Sequence, residues 1–336
     1  MLQSAADHYT AQLRLVGLTT AAIRREWSSI GEDFDAGWAR VGPRIVALMT
    51  AAQVGAARDG AAYVGAALAE QGIHSAVLGE VNPVALAGAY DAGGMMLGSL
   101  DSVAYGAVVR ARSGSAESLG DRLARGRSWL DMLTVTQVAD AGRAGTGAAI
   151  AVRPHVGWTR MVNPGCCKRC AVLAGIYSAE IAFDRHPGCL CRAVPTDSPD
   201  RGGLVDSVEP YQVRDLTKAQ RQAIADGADM VAVINSDRGR SADGMWTTEG
   251  TTKRAYATRV RREVARLKQS EVAWTSTNVG RRGAVENYAV RRLGPRPTPA
   301  AIYRYAPSRE EAVRILHAQG YVVGDFAAVA RVGAGI

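Results

Sequence analysis

Cysteine and histidine are the residues of this chain whose spacing most clearly indicates chemistry. Cysteine occurs only between positions 166 and 191, at Cys166, Cys167, Cys170, Cys189 and Cys191, and His186 lies among them. Secreted domains stapled by disulfides spread their cysteines along the fold, whereas cysteines gathered in one segment more often bind a metal ion. The cluster therefore predicts a metal site in the middle of the chain.

The spacing within the cluster favours structural zinc. A Cys-x-x-Cys turn can direct two thiolates at one ion, and a second close pair completes a tetrahedron. We expect four protein ligands, which leave no position for water and make the zinc structural rather than catalytic. The expected ligands are Cys167, Cys170, His186 and Cys189, with Cys191 as the alternative fourth ligand and Cys166 outside the set. The competing interpretation is a turn of reduced thiols, with His186 in a loop.

The sequence contains no local motif of a known catalytic site. Zinc deaminases need H-x-E before P-C-x-x-C, and none of the histidines provides it; G-x-S-x-G and P-loop patterns are also missing. A nucleophile pair of Cys166 or Cys189 with His186 is conceivable, but the neighbouring thiols would compete with it. We therefore expect a protein without enzymatic activity, and a protease or nuclease with an unrecognised active site is the alternative.

Positive charge is concentrated in one part of the chain. The chain carries 40 basic and 32 acidic residues, a net charge of +8, and the window from 236 to 296 accounts for the whole excess. Basic side chains at helical spacing could neutralise phosphates of a nucleic acid without reading its bases. The candidate nucleic-acid-binding residues are Arg254, Arg259, Arg262, Arg266 and Lys268. The alternative is a solvated helix face whose local partners are Glu263 and Glu271.

Composition predicts a mainly α (α+β) fold. Aromatic residues are only 6% of the chain and glycine is frequent, so the core must be built from small side chains in closely packed helices. Apolar periodicity predicts a helix over 43–71 with a bend at Gly60, a helix opened by Asn82 and Pro83, and another over 115–141. The glycine-rich run 142–147 is a hinge or a helix crossing, and 155–162 alternates like a half-buried strand.

These patterns divide the chain into three segments. Residues 1–148 form a helical N-terminal part, 149–197 a small Cys/His knuckle with short strands, and 198–336 a small, basic, helical C-terminal part. Every long apolar run is interrupted by charge, and the N-terminus lacks a basic region followed by an apolar one. We therefore expect no membrane span, no membrane partner and no secretory signal, so the protein begins in a cytoplasm.

The segment from 158 to 195 has the pattern W-x-R, then C-x-x-C-x-x-L-x-G-x-Y, then F-x-x-H-P-x-C-x-C-R-x-x-P. This pattern resembles that of the MuF-like minor head proteins of tailed bacteriophages. Later segments are similar to members from actinobacteriophages, namely 216–239, 245–254 and 297–322. The resemblance covers about half of the chain.

This resemblance implies a non-enzymatic minor capsid protein. Such a protein lies inside the virion head, is associated with the portal and assists head morphogenesis, DNA packaging or ejection. The implied partners are the portal protein, the major capsid or scaffold protein and packaged double-stranded DNA. The implied location is the interior of the capsid, after assembly in the host cytoplasm.

Overall fold

Long helices make up most of the first half of the chain, and the mainly α class with a few short strands is confirmed. The computed structural model describes residues 2–91, 96–113, 117–162, 165–179, 181, 183–197, 210–249 and 296–322. The helices are α1 (Gln3–Ser28), α2 (Phe34–Glu70), α3 (Leu100–Ala104), α4 (Gly106–Arg112), α5 (Leu119–Ala151), α6 (Lys168–Val172), α7 (Lys218–Ala225), α8 (Met230–Asn235), α9 (Pro299–Tyr305) and α10 (Arg309–Ala318). None of these described helices combines the length and apolar character that a bilayer crossing requires.

The strands are short and pair antiparallel in three small sheets. They are β1 (Ala89–Asp91), β2 (Met96–Ser99), β3 (Gly157–Met161), β4 (Gly175–Tyr177), β5 (Arg192–Thr196), β6 (Trp246–Thr247) and β7 (Arg296–Pro297). β1 pairs with β2 and β6 with β7, while β3 is the centre of a three-stranded sheet of order β4-β3-β5. Trp158 lies opposite Tyr177 on one side and Pro195 on the other.

The expectation of a half-buried strand at 155–162 is wrong in its exposure. Trp158 and Thr159, successive residues that point to opposite faces, are both buried. β3 is covered on both faces, because Trp158 packs with apolar residues of α2 and α5 on one face and Met161 packs with apolar residues of α1 and α2 on the other. The alternating polarity of its sequence therefore does not indicate that one face of the strand is exposed to solvent.

Glycine allows α2 and α5 to approach closely. A Cβ atom at Gly60 would overlap the carbonyl oxygen of Gly142, and one at Gly145 would overlap the carbonyl oxygen of Ala57. The hydroxyl of Thr146 donates to the carbonyl of Gly60 at 3.2 Å across the same crossing. The run 142–147 is thus a helix crossing inside α5, which is one of the two alternatives that the sequence left open.

Three predicted helix features are wrong. α2 begins at Phe34 rather than at position 43, because Asp33 caps it and the burial of Phe34 and Trp38 outweighs the backbone bond that Pro43 lacks. The same helix continues through Gly60, where glycine serves the crossing instead of a bend. Asn82 does cap Val84 as expected, but it opens only a single 3₁₀ turn, Pro83–Leu86.

Contacts along the chain group its residues into two units. One unit comprises Met1–Asn163 and Leu173–Ser207, and the other comprises Pro164–Val172 and Val208–Ile336. The first contains α1 to α5 and the three-stranded sheet. The second contains α6 to α10 and has a core that includes Val233, Leu316 and Tyr321. The division into three segments at 148 and 197 stays a prediction.

Candidate metal centre

The Cys-x-x-Cys turn is held in place by backbone and side-chain hydrogen bonds to its own unit. The backbone N–H of Arg214 donates to the carbonyl of Cys166 at 3.1 Å, and the N–H of Lys168 donates to the Asp215 carboxylate at 2.8 Å. The Lys168 ammonium forms an ion pair with Asp237 at 2.6 Å. These bonds fix the start of α6, where a carboxylate also complements the helix dipole.

The first turn of α6 brings the two cysteines of this motif to one side. Cys167 immediately precedes the helix and Cys170 is its third residue. Residues three apart in a helix lie on the same face, so both sulfurs point in the same general direction. Cys170 is only 2% exposed, while Cys167 is partly exposed. This geometry is the one that the motif predicts.

His186, Cys189 and Cys191 lie on the loop between β4 and β5, which turns sharply at Gly188. Gly188 has φ +72°, a conformation that favours glycine, and its N–H donates to the Thr136 hydroxyl of α5 at 2.9 Å. The N–H of Cys189 donates to the carbonyl of His186 at 3.1 Å and closes the turn. The loop is therefore ordered by its own backbone and by α5.

Arg143 of α5 holds the same loop in place by two hydrogen bonds. Its Nε donates to the carbonyl of Cys191 at 2.9 Å, and its Nη2 donates to the carbonyl of Cys189. Asp140 holds both Arg143 and Arg185 at 2.5 Å, and all three side chains are largely buried. The shared carboxylate offsets part of the cost of burying the two guanidinium charges.

Aromatic residues of the pattern W-x-R…Y…F form the packed base of the loop. The Trp158 ring stacks on Tyr177 at 4.4 Å and on Phe183 at 5.1 Å between ring centroids. The guanidinium of Arg160 lies 4.0 Å from the Phe183 centroid and donates to the carbonyl of Asp184 at 2.6 Å. These contacts combine stacking with a cation–π interaction, and they position the chain that leads to His186.

The cysteine and histidine side chains gather into two overlapping groups that could hold a metal ion. The ligand atoms of Cys167, Cys170 and His186 all lie within 4.8 Å of one another, and so do those of Cys170, Cys189 and Cys191. Cys170 belongs to both groups. Neither the expected ligand set nor the set with Cys191 in fourth place falls within a single group. Each set takes its members from both groups. Cys166, which the sequence analysis leaves outside the set, belongs to neither group.

The hydrogen bond of His186 determines which of its nitrogens could bind a metal. Its Nδ1 lies 2.8 Å from the carbonyl oxygen of Pro187. A carbonyl can only accept, so Nδ1 carries the proton and Nε2 is the nitrogen suited to coordination. A backbone carbonyl in this role is a common orienting partner of metal-binding histidines.

A small cavity adjoins Cys191. It has a volume of about 30 Å³ and is lined by α1, α5 and residues 190–193, including Tyr9 and Arg192. Pockets that enclose small-molecule ligands usually exceed about 300 Å³, so this cavity has room for about one water molecule.

The predicted nucleic-acid-binding residues Arg254, Arg259, Arg262, Arg266 and Lys268 lie outside the described part of the chain. Sequence reasoning assigned no role in the site to Arg143, or to Arg160 and Arg192, although the last two belong to the pattern of the resemblance. A signal was present for Arg160, because it alternates with Trp158 on a strand and so shares its buried face. Arg143 gave no such signal, since an arginine on a helix is usually solvated.

Comparisons with known proteins do not assign the chain to a family. It matches no family model, no curated protein and no solved structure.

Proposed function

We propose that this chain is a non-enzymatic minor head protein of a tailed bacteriophage, which lies inside the capsid in association with the portal and contains a structural zinc centre. The observation that carries the proposal is that the aromatic side chains of the phage-like pattern pack together and that its cysteines and histidine form groups that could hold a metal ion. Trp158, Tyr177 and Phe183 stack on one another, and the cysteines and His186 gather at the loop that they support.

The donor chemistry supports zinc. Both metal-capable groups consist of thiols with or without one imidazole, and neither contains a carboxylate. Soft thiolate ligands disfavour calcium and magnesium, and a closed set of cysteine and histidine ligands is typical of structural zinc. In zinc-finger peptides the apparent binding free energy is about 10–16 kcal/mol, which is also folding free energy.

The charge distribution supports a position next to packaged DNA. The net charge of +8 resides in the window 236–296, and a positive segment lowers the free energy of a protein close to densely packed phosphates. The portal protein is the proposed main partner, with the major capsid or scaffold protein as a further contact. The long helices α1, α2 and α5 offer the extended surfaces that such protein contacts use.

The zinc centre is tested by elemental analysis of protein purified without oxygen. We expect about one zinc ion per chain. Cys170→Ser should release it, because Cys170 belongs to both ligand groups. The matched control is Cys166→Ser, which removes a neighbouring buried thiol outside both groups and should keep the metal. Wild-type protein without metal, or equal metal content in the two variants, would contradict the assignment.

The virion role is tested on purified particles of the phage that encodes the chain. Quantitative mass spectrometry should find a few copies per particle, and a density map of the head should place the chain inside the shell close to the portal. Incubation of the pure protein with labelled DNA and with coat protein tests the enzyme alternative. Absence from mature particles, or cleavage of either substrate that a point substitution abolishes, would overturn the proposal.

A further inference from the structure

Arg192 on β5 is buried, and two of its three nitrogens have no hydrogen-bond partner. The residue is 6% exposed, and the nitrogens are Nε and Nη1. Its guanidinium lies 4.3 Å from the centroid of the Tyr9 ring, and Nη2 approaches the Met161 sulfur at 3.2 Å. An aromatic face attracts a cation but does not remove its charge from the interior. Within the described part of the chain, no carboxylate pairs with this charge.

Burial makes this arrangement of Arg192 costly. Loss of contact with water is the main cause that lowers the pKa of its guanidinium. Arginine nevertheless stays protonated in proteins, so the charge remains in the interior. A buried charge is tolerated when an ion of opposite sign lies beside it. The space next to Arg192 therefore decides which anion could serve.

The cavity beside Cys191 provides this space. Arg192 lines it together with Tyr9, the ring on which the guanidinium packs. Arg143 and His8 also line it, and among the described residues of its lining none is acidic. All the lining residues belong to the first of the two units. The cavity is therefore a positively charged space within one folded unit.

Carboxylates that contact the lining residues already have other partners. Asp59 is bound by His8 at 2.9 Å, and Asp140 is bound by Arg143 at 2.5 Å. Either carboxylate would have to leave its present partner in order to reach Arg192. An anion from solution does not require the loss of these ion pairs.

The size of the cavity limits the anion. A volume of about 30 Å³ suits a single species close to water in size, which excludes sulfate, phosphate and organic anions. Chloride is only slightly larger than water and can accept hydrogen bonds from Nε and Nη1 of Arg192. Water is the competing occupant, since it could accept from Arg192 and donate to Gln12 Oε1, which also lacks a partner. Water, however, would leave the guanidinium charge uncompensated.

We infer that the cavity beside Cys191 binds one small inorganic anion of halide size, chloride under physiological conditions, and that Arg192 is its main ligand. The lining comes from α1, α5 and residues 190–193, so a bound anion stabilises the packing of these three segments. Neither the virion role nor the zinc centre of the proposed function is needed for this site.

Bromide locates the site directly. It has the charge of chloride and a similar radius, and its anomalous X-ray scattering identifies it in a crystal. Crystals of the full chain grown in sodium bromide should show an anomalous peak in the cavity, within hydrogen-bond distance of Nε or Nη1 of Arg192. Anomalous peaks at the protein surface alone, which would indicate an adventitious ion only, would overturn the assignment.

Thermal unfolding measures binding in solution. A ligand that binds only the folded state raises the melting temperature, by about 5–10 °C at a concentration about 100 times its dissociation constant. Sodium methanesulfonate at equal ionic strength is the matched salt, because its monovalent anion is too large for the cavity. We expect a higher melting temperature in sodium chloride. Equal melting temperatures in the two salts over the whole concentration range would indicate water and overturn the anion site.

Substitution of Arg192 tests its role as the ligand. Arg192→Met removes the guanidinium but keeps a long apolar side chain, so the difference in melting temperature between the two salts should disappear. Arg192→Lys keeps the charge and should retain part of this difference. Arg44→Gln is the matched control, because Arg44 is an exposed arginine of the same unit with its own partner, Glu26, and it should retain the full difference. A full difference in Arg192→Met would exclude Arg192 as the ligand.

The outcomes separate the anion site from the proposed function. Protein that contains zinc and is present in virions, but melts at the same temperature in both salts, refutes only the anion site. Protein that is stabilised by chloride but is absent from particles refutes only the virion role. If Arg192→Met does not fold, the bromide peak of the wild-type protein and the response of Arg192→Lys still decide between an anion and water.

Discussion

The substitution Gly145→Ala tests the close crossing of α2 and α5. A Cβ atom at position 145 would overlap the backbone carbonyl of Ala57, which cannot rotate away as a flexible side chain could. The two helices must therefore separate locally. The matched substitution is Gly147→Ala on the same helix, because a Cβ atom at Gly147 meets nothing within 4 Å.

The expected magnitude follows from two opposing contributions. Alanine is a better helix former than glycine by about 1 kcal/mol, and both variants share this gain. Overpacking against a neighbouring backbone costs about 1–3 kcal/mol, and only Gly145→Ala incurs it. We expect Gly147→Ala to be more stable than wild type by about 0.5–1 kcal/mol and Gly145→Ala to be about 1–3 kcal/mol less stable than Gly147→Ala.

Urea unfolding followed by far-UV circular dichroism measures this difference, since the long helices contribute most of the signal. A second readout is zinc affinity. Arg143 lies two residues before Gly145 and donates to the carbonyls of Cys189 and Cys191, so displacement of α5 should weaken metal binding in Gly145→Ala and leave it unchanged in Gly147→Ala. Equal stability of the two variants, within about 0.5 kcal/mol, would refute the close crossing.

Three further outcomes follow from other parts of the chain. Asp59 accepts a hydrogen bond from His8 at 2.9 Å, and this bond lowers the pKa of the Asp59 carboxyl. The stability that this bond contributes is complete above the ordinary carboxyl pKa and is lost as the pH falls through the lowered pKa of Asp59. Asp59→Asn should therefore be less stable than wild type at neutral pH, and this difference in stability should disappear in acid. A difference in unfolding midpoint that stays constant with pH would contradict this. The Tyr303 hydroxyl donates a hydrogen bond at 2.5 Å to the Asp226 carboxylate, whose side chain is 0% exposed. Burial is the main cause that raises the pKa of Tyr303, and this hydrogen bond is the second cause. Tyr303→Phe should lower the free energy of unfolding by about 1.5 kcal/mol, measured in urea, and an unchanged midpoint would argue against the bond. In the basic window, Arg259, Arg262 and Arg266 should be neutralised together. The slope of DNA affinity against salt concentration, measured by titration at several salt concentrations, should fall by up to about three units. An unchanged slope would favour the alternative of a solvated helix face.

Helix ends and caps were accessible from sequence because their interactions are local. Thr217 and Gln220, three residues apart, form a complete capping box at the start of α7, and Ser308 caps α10. Gly227 and Gly320 follow the ends of α7 and α10 with positive φ. In each case the interacting atoms lie within about four residues of one another, so sequence spacing determines their geometry.

The first residue of α2 and the role of Gly60 in the helix crossing could not be predicted from local spacing. Proline is usually placed at the first turn of a helix, and the sequence pattern does not reveal that Phe34 and Trp38 are buried enough to support a helix that begins earlier. The role of Gly60 depends on Gly142, which is remote in sequence. Long-range packing decided both features.

The sequence by itself determined the mainly α class, the helix caps, the small-residue core and the candidate metal-binding segment. These follow from composition and from spacings of a few residues, which local geometry converts directly into structure. Only the tertiary structure decided that Cys170 belongs to both groups that could hold a metal ion, that Arg143 holds the loop of Cys189 and Cys191, and that Arg160 is buried beside the sulfur of Cys189. The physical reason is that burial, charge compensation and the approach of two backbones depend on residues far apart in the chain, and no local pattern records them.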